Sequence, residues 1–68
     1  MTIGQRIKTL REARNLSQDQ LAERSAISQA QISRIESGQF RPVKALQRIA
    51  LALGVTLSQL FEGVEGEE

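Results

Sequence analysis

The chain has 68 residues, no Cys, no His and a formal net charge of +1, which is one domain's length with neither a disulfide framework nor a zinc or haem site. A core this small usually needs a supplement, and with those excluded, close helix packing or a second subunit remains. Hydrophobic residues at 40% against 25% charged mark a globular chain, no apolar run approaches the ~18 residues of a membrane span and no signal peptide opens it, so the expected location is the cytoplasm.

Ile3, Ile7 and Leu10 open the chain at helical spacing. Thr2 with Gln5 forms a capping box before them, in which each side chain satisfies an orphan backbone N–H. Asn15 tolerates the left-handed conformation that ends a helix, so the first helix is expected over 2–14. Ser17 with Gln20 opens a second, over 17–24, carrying Leu21 and Ala22. Ser28 with Gln31 opens a third, over 28–37, carrying Ile32 and Ile35 and stopped by Gly38. Pro42 suits the first helical position, where its missing N–H costs nothing. The fourth helix, 42–53, then carries Leu46, Ile49, Ala50 and Leu53 up to Gly54. Thr56 with Gln59 opens the fifth, over 56–62, with Leu57, Leu60 and Phe61 before Gly63. No segment alternates with period two and aromatic content is 3%, so no sheet is expected. Residues 63–68 hold too little apolar material to pack and read as a flexible acidic tail, leaving 1–62 as the domain.

The segment from Gln18 to Ile35 is the most informative. Only Ser25, Ala26 and Ile27 separate the second helix from the cap of the third, and helices joined that tightly cross steeply as a helix-turn-helix. Ala22 and Ala26 supply the small residues needed where the helices touch and in the turn. With these, Leu16-Ser17-Gln18, the run Ile32-Ser33-Arg34-Ile35-Glu36-Ser37-Gly38 and the run Ile49-Ala50-Leu51-Ala52-Leu53-Gly54-Val55 complete the pattern. It resembles the phage repressor/Cro-type helix-turn-helix, the XRE family, over residues 3–61. The resemblance implies an all-α, compact five-helix, lambda-repressor-like domain that reads duplex DNA with its third helix in the major groove. Ala26 departs from the family, where Gly is usual; a left-handed non-Gly residue costs on the order of 1 kcal/mol.

At ~100° per residue, Ile32 and Ile35 mark the buried side of the third helix. Gln29, Ala30, Ser33, Arg34 and Ser37 fall opposite. Within the family resemblance, Gln29, Ala30, Ser33 and Arg34 are candidate base readers. A Gln amide pairs bidentately with adenine, an Ala methyl suits the thymine methyl, and Arg reaches guanine or a phosphate. Gln31 is either a capping residue or a backbone contact. The candidate backbone contacts are Gln18, Ser28, Gln31, Ser37, Gln39, Arg41 and Lys44, through side chains and helix N-termini. Gln18 reads otherwise as a plain first-turn residue, and Arg41 and Lys44 as ordinary surface charges. Phe40 reads as a core plug or as a DNA wedge. The resemblance also implies an ion pair between Arg11 and Glu36, tying the first helix to the third.

Without His or Cys the usual bases and nucleophiles are missing, and there is no Gly-rich phosphate loop; an enzyme is not expected, nor a cofactor. The expected function is a transcriptional regulator on a palindromic operator: a restriction–modification controller, a small phage-type repressor or similar. The alternative is an antitoxin-like or adaptor module that uses the fold to bind a partner protein. Operator symmetry and the small core favour a homodimer. Leu51 falls opposite its helix's buried stripe, and Leu57, Leu60, Phe61 and Val64 crowd the end of the chain. These form the candidate interface, unless Leu57, Leu60 and Phe61 close the monomer core. Charge is also unevenly placed. Residues 1–61 hold all nine basic residues and four acidic ones, a net +5, and residues 62–68 hold the other four acids. The body is basic, as attraction to DNA and a nucleoid-associated location require.

Overall fold

In the computed structural model, which describes residues 1–39 and 42–65, the chain forms five helices and, among those residues, no strand. They are α1 (Ile3–Ala13), α2 (Gln18–Ser25), α3 (Gln29–Glu36), α4 (Val43–Leu53) and α5 (Leu57–Leu60). Each starts a residue later than the spacing suggested, because Thr2, Ser17, Ser28, Pro42 and Thr56 are extended caps outside the helix. Pro42 therefore precedes the first helical position, with its carbonyl accepting from Leu46 N–H at 3.0 Å. Thr2, Ser17 and Thr56 make complete capping boxes. The fourth expected box is half formed: Ser28 accepts from Gln31 N–H at 3.1 Å, and the Gln31 side chain makes no return bond.

The stops share one device. Asn15, Ala26, Gly38 and Gly54 are left-handed, with φ of 57°, 58°, 84° and 75°. After each, an N–H reaches back five residues to a helical carbonyl: Leu16 to Arg11, Ile27 to Ala22, Gln39 to Arg34 and Val55 to Ala50, all within 3.1 Å. These bonds satisfy carbonyls that a helix end would otherwise orphan. The last helix is shorter than expected. Beyond Leu60 the chain tightens into i to i+3 bonds, Glu62 to Gln59 and Val64 to Phe61, which end regular α geometry.

Ile3, Ile7, Leu21, Ile32, Ile35, Ile49 and Leu60 are fully buried. Burial of each such side chain contributes about 1.5–3 kcal/mol relative to exposure. The two helices of the motif pack on each other, α2 also packs on α4, and α1 packs on α3, α4 and α5. The α1–α3 contact is close because position 4 is glycine: a Cβ there would lie 2.5 Å from the carbonyl oxygens of both Ile35 and Glu36. The inner face of α3, Ile32 and Ile35, is thus clamped and its other face turns outward.

Residues 63–65, expected within the tail, return to the body. Val64 is half-buried against the core. Glu65 N–H donates to the Met1 carbonyl at 3.2 Å, and its carboxylate lies 3.9 Å from the N-terminal ammonium. Beside them, Arg6 Nη2 donates to the Gln59 carbonyl at 3.0 Å and sits 3.6 Å from Glu62. Among the described residues no helix is long and apolar enough to cross a membrane.

Candidate nucleic-acid interface

Gln29, Ala30, Ser33, Arg34 and Ser37 are all exposed, and they occupy one side of α3 and its end. The turn that aims this face is built from Ser25 to Ser28. Ser25 is buried, its hydroxyl donating to the Leu21 carbonyl at 2.7 Å. Ala26 takes the left-handed conformation at φ 58°, ψ 38°, and Ile27 returns to the core. α3 then begins at the Ser28 cap, beside the start of α2.

The first residues of α2 and α3 touch there. Gln29 Nε2 donates to Gln18 Oε1 at 2.8 Å, and Gln18 Nε2 donates to Glu36 Oε1 at 3.0 Å. Glu36 in turn receives Arg11 from α1, Nε to Oε2 at 2.7 Å and Nη2 to Oε1 at 3.1 Å. Arg11 completes its fork by donating from Nη1 to the Leu16 carbonyl at 2.7 Å. The two ionic side chains are only 9% and 5% exposed. Hydrogen bonding to the Glu36 carboxylate raises the Arg11 guanidinium above its ordinary range, against a smaller opposing effect of burial. One arginine therefore fastens α1, the entry to α2 and the end of α3.

The helix-turn-helix family model matches residues 7–60. The chain belongs to the XRE-type helix-turn-helix family. It is 41% identical over 69 residues to the immunity repressor protein of Bacillus phage phi105, covering 100% of this chain and 45% of that one. It is 36% identical over 66 residues to the transcriptional activator BcrR of Enterococcus faecalis, covering 96% of this chain and 32% of that one. The chain thus spans less than half the length of these two relatives. Its structure superposes at a TM-score of 0.83 on the restriction–modification controller C.AhdI of Aeromonas hydrophila, with 33% identity, covering 87% of this chain and 91% of that one. It superposes at 0.80 on the biofilm regulator SinR in complex with DNA, with 29% identity over 88% of this chain and 98% of that one.

Within this helix-turn-helix, the remaining site residues fall as follows. Ser28, Ser37, Gln39 and Lys44 are exposed, and Gln18 and Gln31 are half-buried. The Ser37 hydroxyl donates to the Arg34 carbonyl at 3.0 Å, so toward anything outside it acts only as an acceptor. Phe40 and Arg41 lie outside the described residues. Of the expected interface residues, Leu51 is 81% and Phe61 39% exposed, while Leu57 and Val64 are half-buried against the core. Leu60 is corrected: it is fully buried within the monomer, where a partner cannot reach it, because it closes the core. Sequence reasoning missed the two bonds of Gln18. A glutamine opens both helices of the tight turn, but nothing in their spacing shows that the two side chains meet or that Glu36 joins them.

Proposed function

We propose that the chain is a sequence-specific, double-stranded-DNA-binding transcriptional regulator, acting as a homodimer on a palindromic operator with α3 in the major groove. Residues 1–62 form the DNA-binding domain, with 63–65 folded back against it. The observation that carries this reading is the outer face of α3: lined by side chains that are short or polar, exposed throughout and clamped from behind. A major groove admits such a helix and offers it base edges. Gln29, Ala30, Ser33 and Arg34 read bases, while Gln18, Ser28, Gln31, Ser37, Gln39, Arg41 and Lys44 hold the backbone. The family match supports the reading, as does the superposition on SinR bound to DNA.

The homodimer is supported by two large apolar side chains left exposed in the monomer, Leu51 and Phe61; the two copies then read half-sites about 34 Å apart. The net +5 of residues 1–61 favours association with the cytoplasmic nucleoid. Selection of bound sequences from a random duplex pool tests the function. A symmetric site enriched over the pool is expected, and no enrichment favours an antitoxin-like or adaptor module instead.

A further inference from the structure

Arg11, Glu36, Gln18 and Gln29 are joined by one unbroken run of hydrogen bonds, from 2.7 to 3.1 Å. The direction of every bond follows from the one before it. Arginine only donates, so Glu36 accepts; an ionised carboxylate has no hydrogen to give, so Gln18 must turn its NH2 toward Glu36. That leaves the Gln18 oxygen facing outward, and Gln29 must turn its own NH2 toward that oxygen. The Gln29 amide is left with its oxygen and one hydrogen free.

Two glutamines alone impose no such order. Their pair runs equally well the other way, with Gln18 donating to the Gln29 oxygen and both Gln29 hydrogens free. The two arrangements suit different bases. One acceptor beside one donor matches N6–H and N7 of adenine, and two donors match O6 and N7 of guanine. We infer that Glu36, nearly buried behind the reading face, is a positioning residue that sets the polarity of Gln29 and so makes it read adenine rather than guanine. The effect needs no contact between Glu36 and DNA. It rests on the base-reading role of Gln29 proposed above.

The test uses fluorescent duplexes carrying the selected site, with each of the four bases placed in turn at every position. In the unaltered protein, the position whose discrimination disappears in Gln29→Ala is expected to be adenine. Glu36→Gln keeps its oxygen on the shorter bond, from Arg11 Nε at 2.7 Å, gives up the 3.1 Å bond from Nη2 and turns a new NH2 toward Gln18, which reverses the run. The adenine-to-guanine affinity ratio at that position is expected to fall at least tenfold, with affinity for random duplex within twofold of the starting value. Thermal melting reports whether Glu36→Gln folds. Gln18→Met serves in either case, because it interrupts the run and leaves Arg11–Glu36 intact. It lowers affinity for all duplexes and is expected to reduce the same ratio without raising guanine. A wild-type ratio in folded Glu36→Gln, or in Gln18→Met, overturns the inference. So does a guanine at the Gln29-dependent position. If Gln29→Ala changes no position at all, it is the base-reading role that fails.

Discussion

Gly4 lies with its Cα against the carbonyl of Glu36, where an added Cβ would sit 2.5 Å from the oxygen and 2.9 Å from the carbonyl carbon. The obstacle is backbone, which cannot swing aside as a side chain would. Gly4→Ala gains about 1 kcal/mol of helix propensity and, because the obstacle is backbone, meets an overpacking cost of about 2–3 kcal/mol, the upper part of the usual range. The expected net result is destabilisation of about 1–2 kcal/mol, read as a melting temperature lower by roughly 5–10 °C. An unchanged or raised melting temperature would show that α1 and α3 separate without cost.

Ala26 carries the opposite opportunity. Its φ of 58° places a Cβ in the left-handed region, which costs about 1–2 kcal/mol. Glycine removes that cost and gives back part of it as unfolded-chain entropy. Ala26→Gly is expected to stabilise by about 0.5–1 kcal/mol in denaturant titration, without altering DNA affinity.

Arg11 holds a carboxylate that is only 5% exposed. Arg11→Ala leaves that charge without its counter-ion and the Leu16 carbonyl without its donor. A loss of about 3–5 kcal/mol is expected, much of the stability of a domain this size. The double replacement Arg11→Met with Glu36→Leu is expected to recover most of it, since the unpaired charge is the dominant cost. The pH dependence follows from the raised Arg11 pKa. A folded-state value above the unfolded one stabilises fully below the unfolded value and fades only as pH climbs past it, beyond about 12. Melting curves between pH 7 and 10 should therefore show no loss from this arginine.

Gln29 and Lys44 separate the two kinds of contact. Gln29→Ala is expected to cost about 1–3 kcal/mol on the selected site and to relax preference at one base pair. Lys44→Ala is expected to weaken all duplexes alike and to reduce the salt slope by about one. Fluorescence anisotropy on cognate and random duplexes across a salt series distinguishes them; equal loss on both duplexes for Gln29→Ala would contradict base reading.

Leu51 is 81% exposed and contributes nothing to the monomer core. Leu51→Glu is expected to convert a micromolar dimer to monomer in sedimentation while leaving the monomer's secondary structure intact. A monodisperse monomer in the unaltered protein would rule out this interface.

Helix positions were legible because their signals are local. Ser17 and Gln20, or Thr56 and Gln59, satisfy each other within one turn, and all five left-handed residues, Asn15, Ala26, Gly38, Gly54 and Gly63, carry a local mark. The exposed face of α3 was legible too, since Ile32 and Ile35 fix the rotation of the helix. The bonds of Gln18 to Glu36 and Gln29 were not legible. They depend on how steeply two helices cross, which periodicity does not specify. Gly4 was missed for a related reason: its need for smallness comes from α3, about thirty residues away. The burial of Leu60 against the exposure of Phe61 turned on where α5 gives way to tighter turns, a difference of a single residue.

The shared stops of α1 to α4 bear on how the chain reaches this state. Each closes within five residues, and each start is set within three, except at Pro42. The helices can therefore define their own limits before any distant segments meet. What remains to be found by search is a handful of remote pairings, of which Arg6 with Gln59, 53 residues apart, spans nearly the whole chain. Chains dominated by such local closures fold in microseconds to milliseconds, and this one should acquire its helices first and join its two ends last.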